Sequence, residues 1–189
     1  MPKHFKFLII LLLITIHLKA HSDEGNAEAL KYKSMDAVRT EAPPLIDGDI
    51  TDDVWKQAIV LEDFIQFDPY NHKPASVKTE VRLLYDDKYL YIAFQNYDPN
   101  PLTIMSRMSR RDDFEGMEKN VDWVGFGIDS NNDDMTGNWF MLSAAGVQLD
   151  VSVNESGGWR DKYDMSWNAV WDGETSIHSE GWSAEIRVP

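Results

Sequence analysis

Trp159 stands in the run Ser156-Gly157-Gly158-Trp159-Arg160-Asp161-Lys162, which reads as an exposed loop presenting a flat aromatic face beside a guanidinium and a carboxylate. That combination suits a saccharide. The C–H face of a pyranose stacks on an indole while its hydroxyls exchange hydrogen bonds with polar neighbours. Trp167 and Trp171 follow four residues apart, so on a strand they share a face and serve either as stacking surfaces or as core and edge packing. Trp159, Arg160, Trp167 and Trp171 are therefore the candidate carbohydrate contacts. Trp55 and Trp182 read as structural, and Trp123 and Trp139 as partly buried in or beside strands.

Asp129-Ser130-Asn131-Asn132-Asp133-Asp134 places oxygen-bearing side chains at alternate positions, a spacing that calcium favours in loops. Asp129, Asn131 and Asp133 are the candidate ligands, and a solvated turn is the competing reading, because no glycine stands at the sixth place. Asp47-Gly48-Asp49 with Asp52 and Asp53 is a similar candidate, but the same residues serve as a turn followed by a helix N-cap. Arg107, Arg110 and Arg111 could grip a carboxylate such as a uronic acid, or pair with Asp112 and Asp113 next to them.

Catalysis leaves no comparable mark. A glycoside hydrolase needs two carboxylates roughly 5 to 9.5 Å apart, and among 32 acidic side chains some pair meets that distance by chance. The chain holds no nucleophile elbow, phosphate loop or metalloprotease signature, so it is read as non-catalytic. Met105, Met108, Met117, Met141 or a histidine could ligate a haem iron axially, with core filling as the alternative.

These groups must be positioned by one domain of 189 residues that is 43% apolar and has no cysteine. A chain of this size buries enough apolar surface to fold without disulfides. A formal charge of −14, with the short basic cluster at Arg107 followed at once by acids, excludes nucleic acid as a partner. Residues 1–20 read as a secretory signal peptide: Lys3, His4 and Lys6 precede an apolar run, and a cut after Ala20 would take the charge to about −17. Residues 21–42 read as a polar lead-in, and 43–189 as the folded domain. Export to the periplasm, outer membrane or exterior follows.

From Pro43 onward short alternating runs recur between turn signals, predicting strands over 59–67, 77–85, 89–97, 121–128, 139–144, 147–153, 166–171, 175–178 and 182–188. Asp86-Asp87-Lys88 makes a hairpin, and Asp52 to Ala58 hints at one helical turn. The fold class is all-β: an antiparallel two-sheet β-sandwich of jelly-roll or immunoglobulin-like kind. The last residues read as a strand, so further strands or a second domain are expected after Pro189.

Pro44-Leu45-Ile46-Asp47-Gly48 with Asp52 and Trp55, then Leu83 to Ala93, then Asp122 leading to Ile128-Asp129, together resemble a family 9 carbohydrate-binding module. Arg110 to Asp113, Asp122-Trp123-Val124, Ala145 to Gln148 with Asp150, and Gly181 to Pro189 resemble envelope proteins in which such a module precedes an outer-membrane β-barrel. The resemblance implies a β-sandwich that binds poly- or oligosaccharide, takes part in xylan or glucan catabolism, and has a C-terminal membrane barrel as a partner. It also implies a clamp of two tryptophans around a terminal sugar ring. Residues 115–121, before Asp122, contain no tryptophan, and the second clamp position would fall beyond Pro189, so the clamp is not carried over. A lid or docking domain of the barrel and a haem-binding sandwich are the alternative functions.

Overall fold

A computed structural model describes residues 12–14, 33–118, 120–158 and 161–189. In chain order the strands are β1 (Leu12–Ile14), β2 (Val38–Arg39), β3 (Val60–Leu61), β4 (Thr79–Tyr85), β5 (Leu90–Tyr97), β6 (Trp123–Ile128), β7 (Thr136–Ser143), β8 (Gln148–Asn154), β9 (Tyr163–Asp164), β10 (Asp172–His178) and β11 (Gly181–Val188). One helix, α1 (Phe114–Glu118), and two single 3-10 turns, Asp53–Gln57 and Pro101–Thr103, complete the described elements. One sheet runs β1-β6-β7-β8-β9 and the other β10-β11-β5-β4-β2, with β3 also on β4. The all-β two-sheet expectation holds, and its pairing is antiparallel except at β1–β6 and β2–β4.

Alternation sets which side chains meet between the sheets. Val81 and Leu83 of β4, Ile92 and Phe94 of β5, and Ala184 and Ile186 of β11 face Val124 and Phe126 of β6 and Phe140 and Leu142 of β7 in one buried cluster. Burying each large side chain here stabilises the fold by about 2 kcal/mol. Trp182 joins this core and Trp55 is also buried, as their structural reading required.

The second face of β4, β5 and β11 mixes an apolar patch, Leu84, Tyr91 and Ala93, with polar and charged residues, and the segment 46–58 covers the patch. Trp55 and Ala58 pack there on Leu84, Tyr91 and Ala93. Glu185 holds the segment in place. It sits in the middle of β11 with no solvent exposure, where the alternation turns it away from the core. Its carboxylate accepts hydrogen bonds from the Trp55 indole at 2.7 Å, the Gly48 amide at 2.9 Å and the Asp47 amide at 3.0 Å. Gly48 lies in the left-handed region at φ 85°, and a Cβ there would stand 2.6 Å from the Thr175 carbonyl carbon, so the turn needs glycine.

Val38–Arg39, within the polar lead-in, pairs with Leu84 and Tyr85, and Leu12–Ile14, within the apolar run read as a leader, lies parallel to Phe126–Ile128. Several expected strands change. The strand expected over 59–67 ends at Leu61, and after Asp63 in its left-handed conformation the chain turns outward as a short hairpin closed by Ile65 and Pro74. Residues 166–171, expected as a strand, are irregular. Asp52 starts the helical turn without a side-chain cap; its carboxylate instead accepts the Leu45 amide.

Burial pushes the Glu185 carboxyl up to about 7, against three N–H donors that pull it down. A raised carboxyl contributes stability that is full below its unfolded value of 4.5 and is lost as the pH rises through 7. The stability of the native protein relative to Glu185→Gln, which does not titrate, should therefore fall by about 3 kcal/mol across that window. Glu185→Ala should cost about 3 kcal/mol or more by orphaning three buried donors. Urea unfolding of the three proteins at acid and neutral pH checks both outcomes.

Candidate functional site

After β5 the chain leaves the sandwich and returns at β6, and the excursion is closed at its base by a reciprocal pair. The Met105 amide donates to the Asp122 carboxylate at 2.9 Å, and the Asp122 amide donates to the Met105 carbonyl at 2.8 Å. Burial raises the Asp122 carboxyl above its ordinary value. Between these ties runs the arginine-rich stretch, and one buried carboxylate shapes it.

That carboxylate is Asp150 of β8, fully buried. It accepts the Arg111 guanidinium at 2.6 Å, the Ala169 amide at 2.6 Å and the Trp171 indole at 3.0 Å. Arg111 further donates to the Gln148 side chain at 2.7 Å and to the Ala169 carbonyl at 2.9 Å. The Asp150 amide meets Asp112 at 3.2 Å, and the Asp112 amide meets the Gln148 carbonyl at 3.1 Å. Two loops, 107–116 and 165–171, are thereby fixed to one strand. Asp113 then accepts the Gly116 amide at 3.0 Å and starts α1.

The pinned stretch lines a cleft of about 800 Å³. Arg107, Arg110, Asp113, Glu115, Ser109 and Asn120 offer both hydrogen-bond donors and acceptors to it. Of the two sequence readings for the arginines, Arg111 takes the paired one, with Asp150 at 2.6 Å and its neighbour Asp112 at 3.4 Å. Arg107 and Arg110 have no ion pair among the described residues, but Asp113 and Glu115 share their cleft. The lining is mixed in charge, which matches hydroxyls better than a uronic-acid carboxylate.

The candidate carbohydrate contacts separate. Trp171 is only 5% exposed and commits its indole N–H to Asp150, so it is packing and not a stacking surface. Trp167 is half-buried, its ring edge-on to Phe140 at 5.9 Å, and it stands on the loop that Arg111 and Asp150 pin. Trp159 and Arg160 lie outside the described residues. Residues 166–171 form no strand, because Asp150 takes the Ala169 amide, yet Trp167 and Trp171 do turn to one side, each ring edge-on to Phe140 at 5.9 and 5.6 Å, which is the packing reading of the pair.

The expected calcium loop uses its oxygens on itself. Asp129 accepts the amides of Asn131, Asp133 and Asp134, and Asp133 accepts those of Met135 and Thr136. Asn131 donates to the Thr136 hydroxyl at 2.9 Å. These amides hold the Asp133 carboxyl below its ordinary value. Among the described residues no group of three or more His, Asp or Glu side chains gathers as a metal site. Asp47 and Asp49 likewise accept amides two residues on. Of the methionines considered as haem ligands, Met141 is buried among Val147, Leu149 and Val151, and Met108 is exposed.

Residues 46–135, a little under half of the chain, match the model of the carbohydrate family 9 binding domain-like family. A family 9 carbohydrate-binding module from Caldicellulosiruptor kristjanssonii, solved in complex with glucose, shares 18% identity with a TM-score of 0.54 over 81% of this chain and 68% of that one. A family 9 module from the same organism in complex with cellotriose gives 18% identity and a TM-score of 0.55 over 80% and 65%. A structure from Bacteroides uniformis, described as a candidate carbohydrate-binding protein, gives 12% identity and a TM-score of 0.60 over 83% and 72%. The chain spans about two thirds of the length of these solved proteins. No curated protein matches it by sequence. The family 9 resemblance carried by the spaced motifs is thus met by both the family model and the fold.

Asp150→Ala should destabilise the domain by about 3 kcal/mol, because two buried N–H groups and a guanidinium lose their acceptor. Asp150→Asn keeps one acceptor oxygen and should lose less. Urea unfolding reads the size of the loss, and faster hydrogen exchange at the Ala169 and Asp112 amides reads the release of the two loops.

Proposed function

We propose that this domain is an exported, non-catalytic carbohydrate-binding module whose cleft beside Arg107 and Arg110 receives a neutral poly- or oligosaccharide. The observation that carries this reading is the open, mixed-polarity cleft, anchored through Arg111 and Asp112, on a sandwich of the family 9 kind. Hydroxyls need donors and acceptors together, held still so that binding does not cost loop ordering. The Arg111–Asp150 network supplies that stillness. Trp167, half-buried on the loop that the same network holds, is the candidate aromatic contact there, and Trp159 and Arg160 remain the sequence candidates for additional contacts.

Glucans are the favoured class, since the solved family 9 modules carry glucose and cellotriose, and xylans are the second. The leader read in residues 1–20 accounts for export, and a following outer-membrane barrel would make this module the part that gathers polysaccharide at the envelope. The role is read as binding without turnover; of the cleft's carboxylates, Asp112 accepts the Asp150 amide and Asp113 the Gly116 amide.

Titration of intrinsic tryptophan fluorescence with cello- and xylo-oligosaccharides should give a saturable change. Arg110→Ala and Trp167→Ala should each weaken it about tenfold, while release of reducing ends on long incubation should not exceed the blank. Wild-type protein that is folded yet unresponsive to both sugar series would overturn the reading.

A further inference from the structure

The cleft beside Arg107 and Arg110 is walled by charged and polar side chains and by Gly116, with one exception. Among the described residues that line it, Met108 carries the one apolar side chain. A single exposed apolar group is ordinary on a protein surface. What marks Met108 is that it is 71% exposed and still forms part of a concave wall, so its thioether is open to whatever enters. The chain is tied on both sides of it. Met105, three residues before, exchanges hydrogen bonds with Asp122 at 2.9 and 2.8 Å, and Arg111, three residues after, is held by Asp150 at 2.6 Å.

A pyranose with equatorial hydroxyls presents C–H groups on its faces and hydroxyls at its rim, so a wall of charges alone leaves the faces unmatched. The nearby aromatic rings are largely committed elsewhere. Trp171 belongs to the core, and Trp167 is half-buried with its ring edge-on to Phe140. Phe114, on α1 between two lining residues, does not itself line the cleft. Met108 is the apolar group of the wall, and an unbranched, polarizable thioether settles against irregular apolar surfaces. Haem ligation by the same sulfur finds no matching walls, because a porphyrin needs apolar surroundings and the rest of this lining is charged or polar.

We propose that Met108 is the apolar contact of the cleft wall: its methyl and thioether lie against the C–H face of a bound pyranose while Arg110, Asp113 and Glu115 meet the hydroxyls. This rests on the carbohydrate-binding reading and adds to it a contact from the wall itself. Two properties follow from a thioether in that place. An adaptable side chain serves gluco- and xylo-configured rings alike. An exposed sulfur is also open to peroxides: one oxygen atom passes to the sulfur, the thioether is oxidised to a sulfoxide and the peroxide leaves as water, which turns the apolar contact polar.

The test measures binding of cellotriose and xylotriose to the full chain by calorimetry, for wild type, Met108→Leu and Met108→Gln, each before and after mild hydrogen peroxide. Because the side chain is exposed, the three proteins should melt together. Met108→Leu, which stays apolar and has no sulfur, should bind within about twofold of wild type. Met108→Gln, similar in length but polar, should bind both sugars about tenfold more weakly. Peroxide should weaken the wild type by about tenfold as well, methionine sulfoxide reductase should restore it, and Met108→Leu should keep its affinity through the treatment. Binding unchanged in Met108→Gln would overturn the contact and leave the cleft reading standing. So would a peroxide loss that Met108→Leu shares, because the oxidised group would then lie elsewhere. A folded wild type that binds neither sugar would overturn the cleft reading, and this contact with it.

Discussion

Glu185 is the constraint around which the sandwich is organised. A carboxylate in the middle of an interior strand of a sheet is costly unless its oxygens are met, and here they are met by an indole and two amides from a segment about 130 residues earlier. The consequence is architectural. Satisfying Glu185 draws residues 46–58 across the outer face of β4, β5 and β11, so that its apolar patch of Leu84, Tyr91 and Ala93 is covered. Ser183, on the same face of β11, adds a short bond from its hydroxyl to the Gly48 carbonyl at 2.5 Å.

Asp150 repeats the solution on the other sheet. Again an acid interrupts an apolar strand, again a tryptophan indole and a backbone amide satisfy it, and again the partners come from loops that would otherwise be free. The difference is the third partner. Glu185 receives two amides and an indole and stays a purely internal tie, whereas Asp150 receives Arg111, whose guanidinium is partly exposed and belongs to the loop lining the cleft. One device fastens a cover over a sheet. The other fastens a binding loop, and so converts buried electrostatics into a fixed surface geometry.

The sandwich was legible because its inner faces alternate: Val81, Leu83 and Ile92, Phe94 show a period of two that no helix shares, and Asp86 marks the hairpin between them. Residues 166–171 misled because their apolar and polar side chains alternate equally well, yet the Ala169 amide is taken by a carboxylate instead of a neighbouring strand. Local sequence holds no record of that competition. α1 was missed because five residues carry too little period to register. The acidic loop 129–134 has a calcium-like spacing, and Asx-type turns use the same residues at the same intervals, as the amides accepted by Asp129 show.

The site was legible in composition and opaque in arrangement. Acids at positions 150 and 185 stand out as single charges inside apolar strands, a signal for burial that says nothing of which distant donor will meet them. Trp171 looked like a sugar platform because an indole has both an apolar face and one N–H; that N–H went to Asp150, and the ring was drawn into the core with it. The most exposed aromatic rings, Phe67 and Tyr70, lie elsewhere, on a hairpin whose first residues read as a strand. The same logic places recognition in the loops: the two sheets spend their aromatic side chains on packing, and buried carboxylates decide which loops are held rigid enough to bind.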